Sequence, residues 1–143
     1  MRWLALDIGS RRIGVAVCDE EERVATALDV FAFTGSEAVT ERVAALVLTR
    51  DAKGVVVGVP RTRGGGGPGE RRVAAVVAAL RTRLTVPVEL VDETGTTADA
   101  EALLLEAGVP RRRWRTLVDS LAARLILESF LALRARSSGG EGR

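Results

Sequence analysis

The run Gly54-Val55-Val56-Val57-Gly58-Val59 is apolar at every position and stops at Pro60. A strand with one wet face alternates polar and apolar residues. A strand without that alternation is covered on both faces, as parallel strands in α/β proteins are. A chain containing such a strand must therefore supply helices to two sides of a sheet. Residues 37–49, 73–84, 96–107 and 117–134 have the spacing to do so, the first through Val39, Val43, Leu46 and Val47. Ser36 is expected to cap the first helix and Thr96 or Thr97 the third, with Gly108 and Pro110 ending it. Strand-like runs lie at 3–7, 13–18, 24–33 and 87–91, the first two joined as a hairpin through Gly9-Ser10-Arg11-Arg12. The order β-β-β-α-β-α-β-α-α predicts a three-layer α/β domain: a mixed five-stranded sheet with helices on both faces. The domain is expected to span 1–136, with 137–143 as a flexible Gly/Ser-rich tail.

Composition removes whole classes of chemistry. With 143 residues and no His, the chain cannot hold a Ser-His-Asp or Cys-His triad or a His-ligated zinc. The single Cys18 cannot close an intrachain disulfide, and its apolar surroundings predict a buried, inert thiol. There is no Tyr, so an active site must use carboxylates, hydroxyls, Arg, backbone or a bound ion. No apolar run reaches the ~20 residues that cross a bilayer, and the N-terminal MRWLALDIGS lacks the apolar core of a secretion signal, so a cytoplasmic location is expected. An isoelectric point of about 9.4 overstates the charge, because the formal net charge is only +2. Without His or Tyr, little titrates between the carboxylates and the strong bases. The distribution of charge says more. Lys53 is the only lysine, and arginines cluster at Arg11-Arg12, Arg61/Arg63, Arg71-Arg72 and Arg111-Arg112-Arg113 with Arg115. Arginine suits bidentate contact with phosphate, and the alternative is a set of solvated faces.

Phosphodiester chemistry without His calls for several carboxylates converging on hard Mg²⁺ or Mn²⁺. Asp7 ends an apolar strand beside Gly9, as a ligand or as a turn residue opening the hairpin. Asp19 ends the returning strand and belongs at the opposite edge. Asp92 and Glu93 follow the strand at 87–91; adjacent residues leave a strand in opposite directions, so only one should reach a shared site. Asp119 opens the last helix as read from the pattern, where the helix dipole alone would favour an acid. The Gly64–Gly67 run lacks the ending of a P-loop and reads as an Arg-flanked flap or an unconstrained loop.

Taken in order, these segments resemble one known family. Asp7-Ile8-Gly9-Ser10-Arg11-Arg12-Ile13-Gly14-Val15-Ala16-Val17-Cys18-Asp19 is similar to the DxGxxRIGVAVSD opening of the YqgF/RuvX family. Val57-Gly58-Val59-Pro60 resembles its VGLP strand end, and Asp92-Glu93-Thr94-Gly95-Thr96-Thr97-Ala98 its DERxTTxxA stretch, with Thr94 in place of the motif's Arg. Asp119-Ser120-Leu121-Ala122-Ala123-Arg124-Leu125-Ile126-Leu127 resembles its DxxAAxxIL helix. The resemblance implies a ribonuclease H-like fold and a metal-dependent nuclease that resolves four-way DNA junctions, processes the 5′ end of pre-16S rRNA, or both. It implies Asp7, Glu93 and Asp119 as catalytic, metal-binding acids for Mg²⁺ or Mn²⁺. Arg12, Arg61, Arg63, Arg111, Arg112 and Arg113 are then expected to bind the nucleic-acid backbone, and a junction's two-fold symmetry makes a homodimer an open expectation. Two other readings stand beside it. One is a binding module for branched or structured nucleic acid that does not cut. The other is the Asp-x-Gly hairpin of the sugar-kinase, actin and Hsp70 fold, which needs two such domains.

Overall fold

The structure, a computed structural model, describes residues 1–60 and 66–141. Three strands come first: β1 (Trp3–Ile8), β2 (Arg12–Cys18) and β3 (Ala25–Ala32). Helix α1 (Ser36–Thr49), β4 (Gly54–Val59), α2 (Pro68–Arg83), β5 (Val88–Asp92) and α3 (Thr96–Glu106) follow. A 3₁₀ turn, Arg111–Arg113, then runs directly into α4 (Trp114–Glu141). The five-stranded sheet has the order β3-β2-β1-β4-β5. Its hairpin half is antiparallel, and β1, β4 and β5 are parallel, so the mixed sheet expected from the element order is present.

Both faces of β1 and β4 are covered, as the apolar run requires. Leu4, Leu6, Ile8, Ile13, Val55 and Val57 pack against Val39 and Val43 of α1 and Val73, Val76 and Leu80 of α2. Alternate residues, Trp3, Ala5, Ala16, Val56 and Val91, face the other way onto Ala123, Ile126, Leu127 and Phe130 of α4. Strand parity thus assigns Asp7, Arg12, Gly14, Gly58 and Glu93 to the α4 side and Asp92 to the α1/α2 side. Cys18 is buried in the α4 layer, with its pKa pushed up by that burial, in keeping with an inert thiol.

Several boundaries differ from the sequence pattern. Helix α2 starts at Pro68, directly after the glycine run and five residues before the expected start at 73, because proline's fixed φ and missing N–H suit the first helical position. Gly35 and Gly95 precede α1 and α3 without side-chain caps, so Ser36 and Thr96 are the first helical residues. Helix α4 begins three residues before Leu117, and its backbone continues to Glu141 through most of the expected tail; residues 142–143 lie outside the described residues. The early start has a local cause. Trp114 Nε1 donates to the Val109 carbonyl at 2.8 Å and the Arg111 guanidinium stacks 4.8 Å over the indole, so the basic link is itself wound up.

Where α4 crosses β2, a Cβ on Gly14 would collide with the carbonyl of Asp119. The two backbones touch, and only glycine permits it. Gly14→Ala is expected to cost about 1–3 kcal/mol of stability, as overpacking does. Denaturant unfolding checks this, and an unchanged midpoint would rule out so close a seat.

Candidate active site

Asp7 is the penultimate residue of β1, half-buried and turned toward α4. Glu93 lies one residue past β5, where its N–H donates to the Val59 carbonyl at 3.1 Å and prolongs the β4–β5 ladder. Strand β4 separates these two acids. Gly58 is what lets them meet: a Cβ there would lie 2.8 Å from Glu93 Oε2 and 2.5 Å from Ile126 Cδ1. Glu93 uses the missing side chain's space to cross β4 and hydrogen-bond to the Asp7 carboxyl.

The electrostatics follow from that contact. Burial, then the charge of Asp7, its hydrogen bond and the charge of Asp92 push the Glu93 pKa from 4.5 up to about 9. Asp7 is also raised, first by burial and further by Asp119, while the bond from Glu93 opposes the shift. At neutral pH the pair therefore shares a proton, Glu93 donating to Asp7.

Asp119 sits on the third side. With α4 starting at Trp114, it lies in the second turn, past the unpaired N–H groups that an acid in the first turn serves. Its backbone is fixed against Gly14, and its Oδ2 accepts from Arg12 Nε at 2.6 Å. Among the described residues, no three acidic or cysteine side chains stand close enough together to hold one ion as placed. Asp7 and Glu93 are joined, whereas Asp119 is held by Arg12.

The remaining candidates sort clearly. Asp92 is exposed, on the opposite face, and accepts from the Thr94 N–H at 2.8 Å and hydroxyl at 2.6 Å. Thr94 is thus a turn residue here. Asp19 accepts the N–H groups of Arg23 and Val24, both at 2.8 Å, at the far end of the sheet. Arg111, Arg112 and Arg113 are exposed at the start of α4, the end of the helix nearer Asp119. Arg61 and Arg63 lie outside the described residues. Sequence reasoning missed Gly14 and Gly58 as parts of the site, although glycine inside a strand is the usual sign of a close approach.

A family model described as RuvX, Holliday junction resolvase, matches residues 1–133. The chain belongs to the RuvX family. Its relatives include a protein of Pelotomaculum thermopropionicum described as "Putative pre-16S rRNA nuclease", 44% identical over 138 residues, covering 95% of this chain and 90% of the relative. One of Desulforudis audaxviator, described in the same words, is 44% identical over 140 residues and covers 97% and 98%. Among solved structures, T. thermophilus RuvC in complex with Holliday junction substrate aligns at TM-score 0.63 and 18% identity, covering 94% of this chain and 96% of that one. The fowlpox virus Holliday junction resolvase aligns at TM-score 0.56 and 13% identity, covering 92% and 99%. At such identities these two establish the fold, which is that of RuvC-like, ribonuclease H-like resolvases. RuvX is thus a family of nucleases on that fold, and the expected fold class holds. Among the described residues no helix is long and apolar enough to cross a membrane.

A consequence of the carboxyl pair can be checked without substrate. Glu93 holds its proton more tightly when folded, so its contribution to stability is greatest below about pH 4.5 and is lost as pH rises toward 9. In chelator, Glu93→Gln should be close to wild type in Tm at pH 4.5. It should melt about 3 °C or more above wild type at pH 8. A difference that does not grow with pH would mean the two acids are not pressed together out of water.

Proposed function

We propose that this chain is a metal-dependent endonuclease that hydrolyses phosphodiester bonds in structured nucleic acid, with Asp7, Glu93 and Asp119 as its catalytic acids. The observation that carries this reading is the Asp7–Glu93 contact across Gly58. Two carboxylates brought together away from water destabilise the fold unless a proton or a cation lies between them. An all-oxygen donor set fits Mg²⁺ or Mn²⁺ rather than a softer ion. Asp7 and Glu93 would hold the ion, and Asp119 would join them on leaving Arg12. When bound, such an ion withdraws charge from phosphoryl oxygens and makes water nucleophilic at neutral pH. The protein's own part is to fix Asp7 and Glu93 at the ends of β1 and β5, to cover them with α4, and to carry Asp119 on that helix. Arg111, Arg112 and Arg113 attract the phosphate backbone without reading sequence.

For the substrate, the more similar relatives carry more weight than distant neighbours. Relatives at 44% identity are described by pre-16S rRNA, whereas the junction-bound neighbour is 18% identical. We therefore take the 5′ extension of pre-16S rRNA, a cytoplasmic substrate, as the first candidate and the four-way DNA junction as the second. The junction's symmetry would call for two copies acting together, while trimming one RNA end calls for one.

The test compares a 5′-extended 16S precursor and a mobile four-way junction, each with Mg²⁺, Mn²⁺ or chelator. Cleavage is expected only with metal. Asp7→Asn should lower it by about a hundredfold or more, the rate equivalent of a few kcal/mol, with nucleic-acid binding largely retained. Wild-type cleavage by Asp7→Asn would reject the site. Binding without cleavage under every condition would leave a recognition module in place of an enzyme.

A further inference from the structure

Arg12 makes a contact that backbone recognition does not require. Its Nε donates to Asp119 Oδ2 at 2.6 Å, across 107 residues of chain, and among the described residues no other cation pairs with the three acids. Both partners have fixed backbones. Arg12 is the first residue of β2, and its carbonyl accepts the Gly9 N–H at 2.9 Å to close the hairpin. Asp119 is seated on Gly14. The only freedom left at this joint is in the two side chains. They differ in access: the Asp119 side chain is 18% exposed and the Arg12 side chain 38%. The arginine is thus the more open partner of the pair and the aspartate the more shielded one. A guanidinium also binds phosphate in the same bidentate manner in which it binds carboxylate.

From this exchange we infer that Arg12 is a positioning residue that holds Asp119 away from Asp7 and Glu93 until a backbone phosphate takes its place on the guanidinium. The inference rests on the metal-site reading above and adds a coupling to it. Phosphate captures Arg12, Asp119 is released, and the donor set gains its third carboxylate where the strand to be cut lies. Metal and nucleic acid then bind cooperatively, and by linkage each must tighten the other by the same factor. Thr94 sharpens the assignment. Where the family motif carries an arginine this chain has a threonine bonded to Asp92, so Arg12 is the cation that the structure brings to the acids.

The experiment is a double-mutant cycle read by Mn²⁺ titration calorimetry, without nucleic acid, on wild type, Arg12→Gln, Asp119→Asn and the double variant. Removing a positive charge near any cation site tightens it somewhat, and the cycle separates that general effect from release of Asp119. Arg12→Gln should tighten Mn²⁺ roughly five- to tenfold in the wild-type background and less than about twofold in the Asp119→Asn background. A second arm needs no variant: the phosphorothioate-linked form of the nucleic acid that the protein binds, 5′-extended 16S precursor or four-way junction, should tighten Mn²⁺ on the wild-type protein by a similar factor once Mn²⁺ binding to that nucleic acid alone is subtracted. Equal gains in both backgrounds, or no gain with either Arg12→Gln or the bound nucleic acid, would overturn the positioning role and leave the metal site standing. Absence of Mn²⁺ binding in all four proteins and in the nucleic-acid complex would remove the metal site itself, and the positioning role with it.

Discussion

A Cβ on Gly14 would overlap the Asp119 carbonyl, so β2 and α4 meet backbone to backbone at the rim of the sheet. That seat sets the height and rotation of α4 over the strands. Ala123, Ile126, Leu127 and Phe130 then fall on Trp3, Ala5, Ala16 and Val56 and seal one face of the sheet. The same contact brings a helix-borne acid beside acids that project from strand ends. A bulkier residue at position 14 would lift α4 and loosen the layer that excludes water from Asp7 and Glu93. Fold stability and site geometry thus share one joint.

The site opposes the stability that surrounds it. Burial strengthens the apolar layers, but it also strips water from two like-charged groups, and Glu93 responds by keeping its proton to about pH 9. Strain of this kind persists at functional positions because the surrounding packing over-determines it. Gly58 takes part in the same trade, since it gives up side-chain packing near the end of β4 to open a passage for Glu93. An acid placed directly on β4 would need no such passage, but in this chain the strand ends in Val59-Pro60.

Much of this was legible in the sequence, and the remainder fails for identifiable reasons. The unbroken apolar run of β4 was enough to demand a helix layer on each face. Strand parity required Asp92 and Glu93 to leave the strand on opposite faces, as they do, while the choice of Glu93 came from the family resemblance. The start of α4 was hidden because Arg111-Arg112-Arg113 looks like a solvated link. Its winding depends on the Arg111–Trp114 stack and the Trp114–Val109 bond, which no periodicity reports. The first-turn explanation for Asp119 rested on that misplaced start and goes with it. The roles of Gly14 and Gly58 and the Arg12–Asp119 pair are contacts between distant segments, fixed by register and helix seating rather than by local propensity.

The central claim is that the Asp7–Glu93 pair is one side of a divalent-cation site. Diffraction from crystals grown with Mn²⁺, recorded at the manganese absorption edge, tests it most directly. The account predicts an anomalous peak between the carboxylates of Asp7 and Glu93, with the hydrogen bond between them broken. Crystals that bind Mn²⁺ elsewhere, or not at all, with Glu93 still bonded to Asp7, would contradict it.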